Sequence, residues 1–147
     1  MNNDEHVKNA LPLGLKIIWF MQIFGLVFSS VAAFSKPMPV IVGSWVMPSI
    51  LSNLYIATIL VSQGYIAFGL PLLKIQAWNL LVFIQSLGIL LMFANLFITP
   101  ELLAKFVNNT QGQSISINFY RSVLLAAMLF QAGLLFYVIK KRSLFTN

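Results

Sequence analysis

Polar positions along this chain mark the edges of long apolar runs. Residues 17–35, 37–73, 75–100 and 122–139 contain no Asp, Glu, Lys, Arg or His. A helix needs roughly 20 apolar residues to cross about 30 Å of hydrocarbon. Only helices and closed barrels satisfy their backbone groups there, and these runs lack the alternation of a barrel strand. The pattern predicts an all-α membrane protein. It is a single domain over residues 1–147, with four transmembrane helices in an up-down-up-down bundle. The spans are expected at about 14–34, 50–70, 77–98 and 119–139.

The run 37–73 holds one span, because Pro37, Pro39 and Pro48 break its first part. That leaves Val40–Trp45 as an apolar outer loop, too short to cross and expected to dip into the outer leaflet. A tight turn around Pro71–Gln76 joins spans two and three. Thr99, Pro100 and Glu101 read as N-cap, first-turn proline and first-turn acid. They predict a short interfacial helix over about 100–107, with Leu102, Leu103, Phe106 and Val107 opposite Glu101, Lys105 and Asn108. Residues 109–116 are expected to form a polar loop.

Composition sharpens this picture. Charged residues make up 8% of the chain, against about 25% in soluble domains. The net charge is +6, but the bases are scattered, so no nucleic-acid surface is expected. Lys8, Lys16, Lys74, Lys140, Lys141 and Arg142 fall on one side of the expected topology. Lys36, Lys105 and Arg121 fall on the other, which places both termini in the cytoplasm (N-in, C-in). Lys140, Lys141 and Arg142 then form a lipid-facing anchor. A cell membrane, most simply a bacterial cytoplasmic one, is the expected location. Residues 1–33 also admit reading as a signal peptide cut after Val31-Ala32-Ala33, against which stand a long acidic tail and a span-length apolar run.

Catalytic chemistry has little to work with. There is no cysteine, and the one histidine, His6, sits in the polar tail. With no metal-ligand spacing, no Ser/His/Asp set and no paired carboxylates, neither a metal site, a cofactor nor an enzyme activity is expected. Proton-coupled transporters use an intramembrane acid or histidine, and the spans carry none. Asn108-Asn109-Thr110 fits a glycosylation acceptor pattern.

What the spans do carry is amides. Each has one central glutamine: Gln22, Gln63, Gln85 and Gln131. With alternating span directions and about 1.5 Å of rise per residue, all four reach one depth, roughly 10–12 Å in. Asn53 and Asn95 join them, and the pairs 53/95 and 63/85 are both centred on Lys74. A hairpin turning there brings each pair level. Gly25, Ser29 and Ala33 form a small-residue stripe on span one that favours close helix packing. The motif Gln-x-x-Gly occurs at Gln22/Gly25 and again at Gln85/Gly88, hinting at duplication of a helix pair.

Two functions follow. One is a non-enzymatic accessory subunit that works by helix contacts, as a homo-oligomer or with a membrane-protein partner. The other is a small permease or channel for neutral or polar solutes, using the glutamine layer. In the first the amides bond one another in a dry core; in the second they line a cavity.

Overall fold

The computed structural model describes residues 11–35, 40–111 and 116–145, the side chains of 32–35 and 106–111 apart. Prolines open the first two helices. The carbonyl of Pro12 accepts from the Lys16 N–H at the start of α1 (Leu13–Ser35), and that of Pro48 accepts from Ser52 at the start of α2 (Ser49–Gly69). Each ring fixes φ ahead of the first turn, where no N–H is needed. Further along are α3 (Ile75–Asn95), α4 (Pro100–Gln111) and α5 (Ile117–Lys140), closed by a short 3-10 turn at Arg142–Leu144. Helices α1, α2, α3 and α5 are each long and apolar enough to cross a membrane.

α1 packs on α2, α2 on α3, and α3 on α5, neighbours running in opposite directions. The starts of α1 and α3 and the ends of α2 and α5 meet at one end, which also carries Lys16, Lys74 and Lys140. We call it the basic end. There Leu15, Ile18, Ile66, Leu70, Trp78, Leu81, Val138 and Phe145 form the buried core. The seam between α1 and α5 is the loosest of the bundle. It is held at the basic end, where the Tyr137 ring covers Gly14 so closely that a Cβ would collide with it.

The turn between α2 and α3 is a Schellman cap. The N–H of Lys74 reaches the Gly69 carbonyl and that of Leu73 reaches Leu70. Leu73 occupies the left-handed position (φ +52°) where glycine is usual. Its side chain packs against the core, which offsets the roughly 1–2 kcal/mol of that conformation.

The opposite end departs from expectation in three places. The apolar loop after α1 is an antiparallel hairpin, β1 (Ile41–Val42) with β2 (Trp45–Val46), a strand pair in a chain expected to be all helix. Gly43 at φ +61° is the only described glycine with positive φ and opens its two-residue turn. Second, α3 stops at Asn95 and not near 98, because the N–H groups of Leu96, Phe97 and Ile98 each bond three residues back and tighten the chain into the connection. Third, α4 runs on to Gln111, past the expected 107. Its N-cap is Thr99, whose hydroxyl accepts from the Leu102 N–H at 3.4 Å.

Candidate functional site: a glutamine-lined cavity

Each of the four long helices contributes one glutamine to a single cavity. Gln22, Gln63, Gln85 and Gln131 line it together with Met21, Tyr55, Met92 and Phe130, among others. Its volume is about 370 Å³, within the roughly 300–1,000 Å³ of small-molecule sites. The lining has no Asp, Glu, Lys, Arg or His. One turn further toward the basic end, Ile18, Ile66 and Leu81 are buried and close the cavity from that side.

The glutamines do not satisfy one another. Among the described residues none of their side chains makes a hydrogen bond. The Oε1 atoms of Gln63, Gln85 and Gln131 are buried without a donor. Gln22 is only 8% exposed. A buried polar group left unmatched costs about 1–3 kcal/mol, and folded proteins retain few of them without a functional reason. Three orphaned carbonyls in one layer, with Gln22 beside them, therefore mark a place built to take hydrogen bonds from something other than this chain.

Two glycines face the amides, and Gly88 makes room for one. A Cβ on Gly25 would stand 3.5 Å from Gln63 Nε2, and one on Gly88 would stand 3.1 Å from Gln131 Oε1. The glycine of each Gln-x-x-Gly motif thus receives the glutamine of the next long helix. The two pairs share a second device. Trp19 on α1 donates its indole N–H to the Ala67 carbonyl on α2 (2.7 Å), and Trp78 on α3 donates to the Val138 carbonyl on α5 (3.0 Å). Pair α1–α2 and pair α3–α5 are built on one plan, with glutamine against glycine at mid-helix and indole against carbonyl near the basic end.

The other residues singled out from sequence are placed differently. Asn95 lies outside the cavity; its Oδ1 accepts from the Gly43 N–H at 2.8 Å and pins the β-hairpin to α3. Asn53 is exposed, so the two asparagines do not meet. In the small-residue stripe, Gly25 faces Gln63, Ser29 is half-buried, and the Ala33 side chain lies outside the described residues. At the basic end, Lys140 stands 4.6 Å over the Phe136 ring, Lys141 5.8 Å over Tyr137, and Arg142 5.5 Å over Trp78. The cluster therefore folds back on its own aromatics. Trp78, which sequence alone reads as an interface marker, is a buried core residue. His6 lies outside the described residues, as do the side chains of Asn108, Asn109 and Thr110. Among the described residues no group of His, Cys, Asp and Glu could hold a metal.

Sequence reading missed Ser52. It is 2% exposed, its Oγ accepts from the Val40 N–H (3.1 Å), and its hydroxyl donates to the Met47 carbonyl (3.3 Å). One serine so ties both strands of the hairpin to α2. Tyr55, Met21, Met92 and Phe130 were also unmarked, since nothing in an evenly apolar helix says which residues turn inward. No known protein family, curated protein or solved structure matches the chain.

Proposed function

We propose that this chain is a multi-pass membrane protein that carries an uncharged, hydrogen-bonding molecule in the glutamine-lined cavity. The observation that carries the reading is the unpartnered amide layer: uncharged acceptors and donors at one level, with no Asp, Glu, Lys, Arg or His in the lining to drive proton coupling. A bilayer around the four long helices is supported by their exposed apolar surface, including Phe24, Phe28, Phe68, Phe83, Leu90, Leu129 and Phe136. Surface of that extent belongs against lipid. The excess of bases at one end supports a cytoplasmic position for that end. The cavity is sealed by aliphatic side chains on that side, which fits a carrier that opens on one face at a time better than an open channel. No catalytic role is proposed.

The accessory-subunit reading drew on the Gly25, Ser29 and Ala33 stripe. Gly25 faces Gln63 of the same chain, which takes up one position of that stripe; the reading drew also on the lack of reactive side chains.

The test is permeability of proteoliposomes to small neutral solutes such as urea and glycerol, followed by light scattering. Flux above protein-free vesicles is expected for at least one solute, with Gln22→Leu and Gln85→Leu abolishing it while helicity is kept. Permeability equal to empty vesicles across the panel, or full flux in both variants, would end the proposal.

A further inference from the structure

Of the residues lining the cavity, only Met21 and Phe130 are also exposed on the outer surface, at 41% and 57%. They stand on α1 and α5, the two helices whose seam is least packed. Met21 lies eight residues into α1, and Phe130 ten residues before the end of α5. At about 1.5 Å per residue both are some 12–15 Å from the basic end, in the middle of a hydrocarbon layer about 30 Å thick. At these two positions the lining reaches exposed surface, at the depth of lipid tails. Toward the basic end the core closes it, and toward the other end the β-hairpin is tied over the start of α2 by Ser52 and the end of α3 by Asn95.

From this we infer that the cavity is entered sideways from the bilayer, through the α1–α5 seam at Met21 and Phe130. Its ligand is then an uncharged lipid alcohol: a hydroxyl-bearing head among the amides and an aliphatic chain left in the seam. Hydroxyls supply the donors that the Oε1 atoms of Gln63, Gln85 and Gln131 lack. A charged head is disfavoured, because no opposite charge lines the cavity to offset its transfer out of water. An apolar molecule with no donor would leave the carbonyls as they are. The inference rests on the carrier reading and narrows its substrate class.

The experiment uses full-length protein in phosphatidylcholine liposomes and a monoacylglycerol bearing a photoreactive diazirine in its chain. Labelling is expected to saturate and to fall at least tenfold with excess monooleoylglycerol, but not with methyl oleate, which has the same chain and no donor. Gln85→Leu and Gln131→Leu should each reduce it about tenfold. The chain has no cysteine, so Phe130→Cys can be tagged with a bulky maleimide after reconstitution. Where the thiol does not react inside the bilayer, the tag is attached to folded protein in micelles before reconstitution, since the thiolate is the reactive form; it should then block labelling, which covers the case of a glutamine variant that fails to fold. If methyl oleate competes equally, or the tag changes nothing, sideways entry by a lipid alcohol is overturned. Disulfide-linked dimers of Phe130→Cys under mild oxidation would also overturn it, by showing that a second copy covers the seam. Glycerol flux without monoacylglycerol labelling sinks this inference and leaves the carrier reading standing; loss of both sinks both.

Discussion

The basic end and the level of the glutamines are built from the same four helices about two turns apart, yet they solve opposite problems. At the basic end the indoles that enter the core have partners among the described residues. The Trp78 indole meets the Val138 carbonyl, Phe145 packs on its ring, and Leu15, Ile66, Leu70 and Leu81 are wholly buried. At the glutamine level the polar groups are buried and idle. In the bilayer proposed above there is no hydrophobic drive to press the helices together, and packing and hydrogen bonds have to hold them. The comparison teaches that stability is concentrated at one end, while the amides are held ready by a frame they do not help to secure.

The sharpest way to break that comparison is Trp78→Ala. It removes a buried ring, a hydrogen bond and the Phe145 and Arg142 contacts together. A loss of about 3–5 kcal/mol is expected in reversible unfolding from micelles. A cost below 1 kcal/mol would mean that the basic end is not where the bundle is secured.

A pair of glycines on α2 gives a smaller, signed test. A Cβ on Gly69 would stand 2.6 Å from the Ala77 Cβ, whereas nothing lies within 4 Å of one on Gly64. Gly69→Ala should destabilise by about 1–3 kcal/mol through overpacking. Gly64→Ala should stabilise by about 0.5–1 kcal/mol, the usual gain from filling an open helical glycine. Thermal melts that moved both variants the same way would contradict the difference in packing.

The smallest effect is expected at the cavity itself. Gln85→Leu removes a carbonyl that has no donor, so stability should change by no more than about 1 kcal/mol, toward greater stability if either way. A drop of 2 kcal/mol or more would show that the amide is partnered in the folded protein.

The helices were legible because charges bound the apolar runs and helical rise converts residue number into depth. That arithmetic sets all four glutamines at one level whichever way each helix is rotated. Rotation and partner were not legible. Asn53 and Asn95 share a depth, but Asn95 is claimed by the Gly43 N–H and Asn53 turns outward, since equal height does not mean a shared face. Trp78 at a helix start reads equally well as an interface anchor or as core, because α3 is apolar all round. The β-hairpin did leave a signal: Gly43-Ser44 between Ile41-Val42 and Trp45-Val46 is a two-residue turn flanked by strand-forming residues. The glycine of Gln-x-x-Gly was visible, but not that the amide it shelters comes from the next long helix.

The Asn95 clasp on Gly43 has a mechanical consequence. The connection within the first helix pair is fastened to the second pair at one extremity, and the Schellman turn couples the pairs at the other. Swinging one pair away from the other like a jaw would break a fastening at either extremity. The motion left is a parting of α1 from α5, which Tyr137 over Gly14 holds at the basic end, so a carrier of this build should admit its cargo by opening that seam like a zip whose closed end is the basic one.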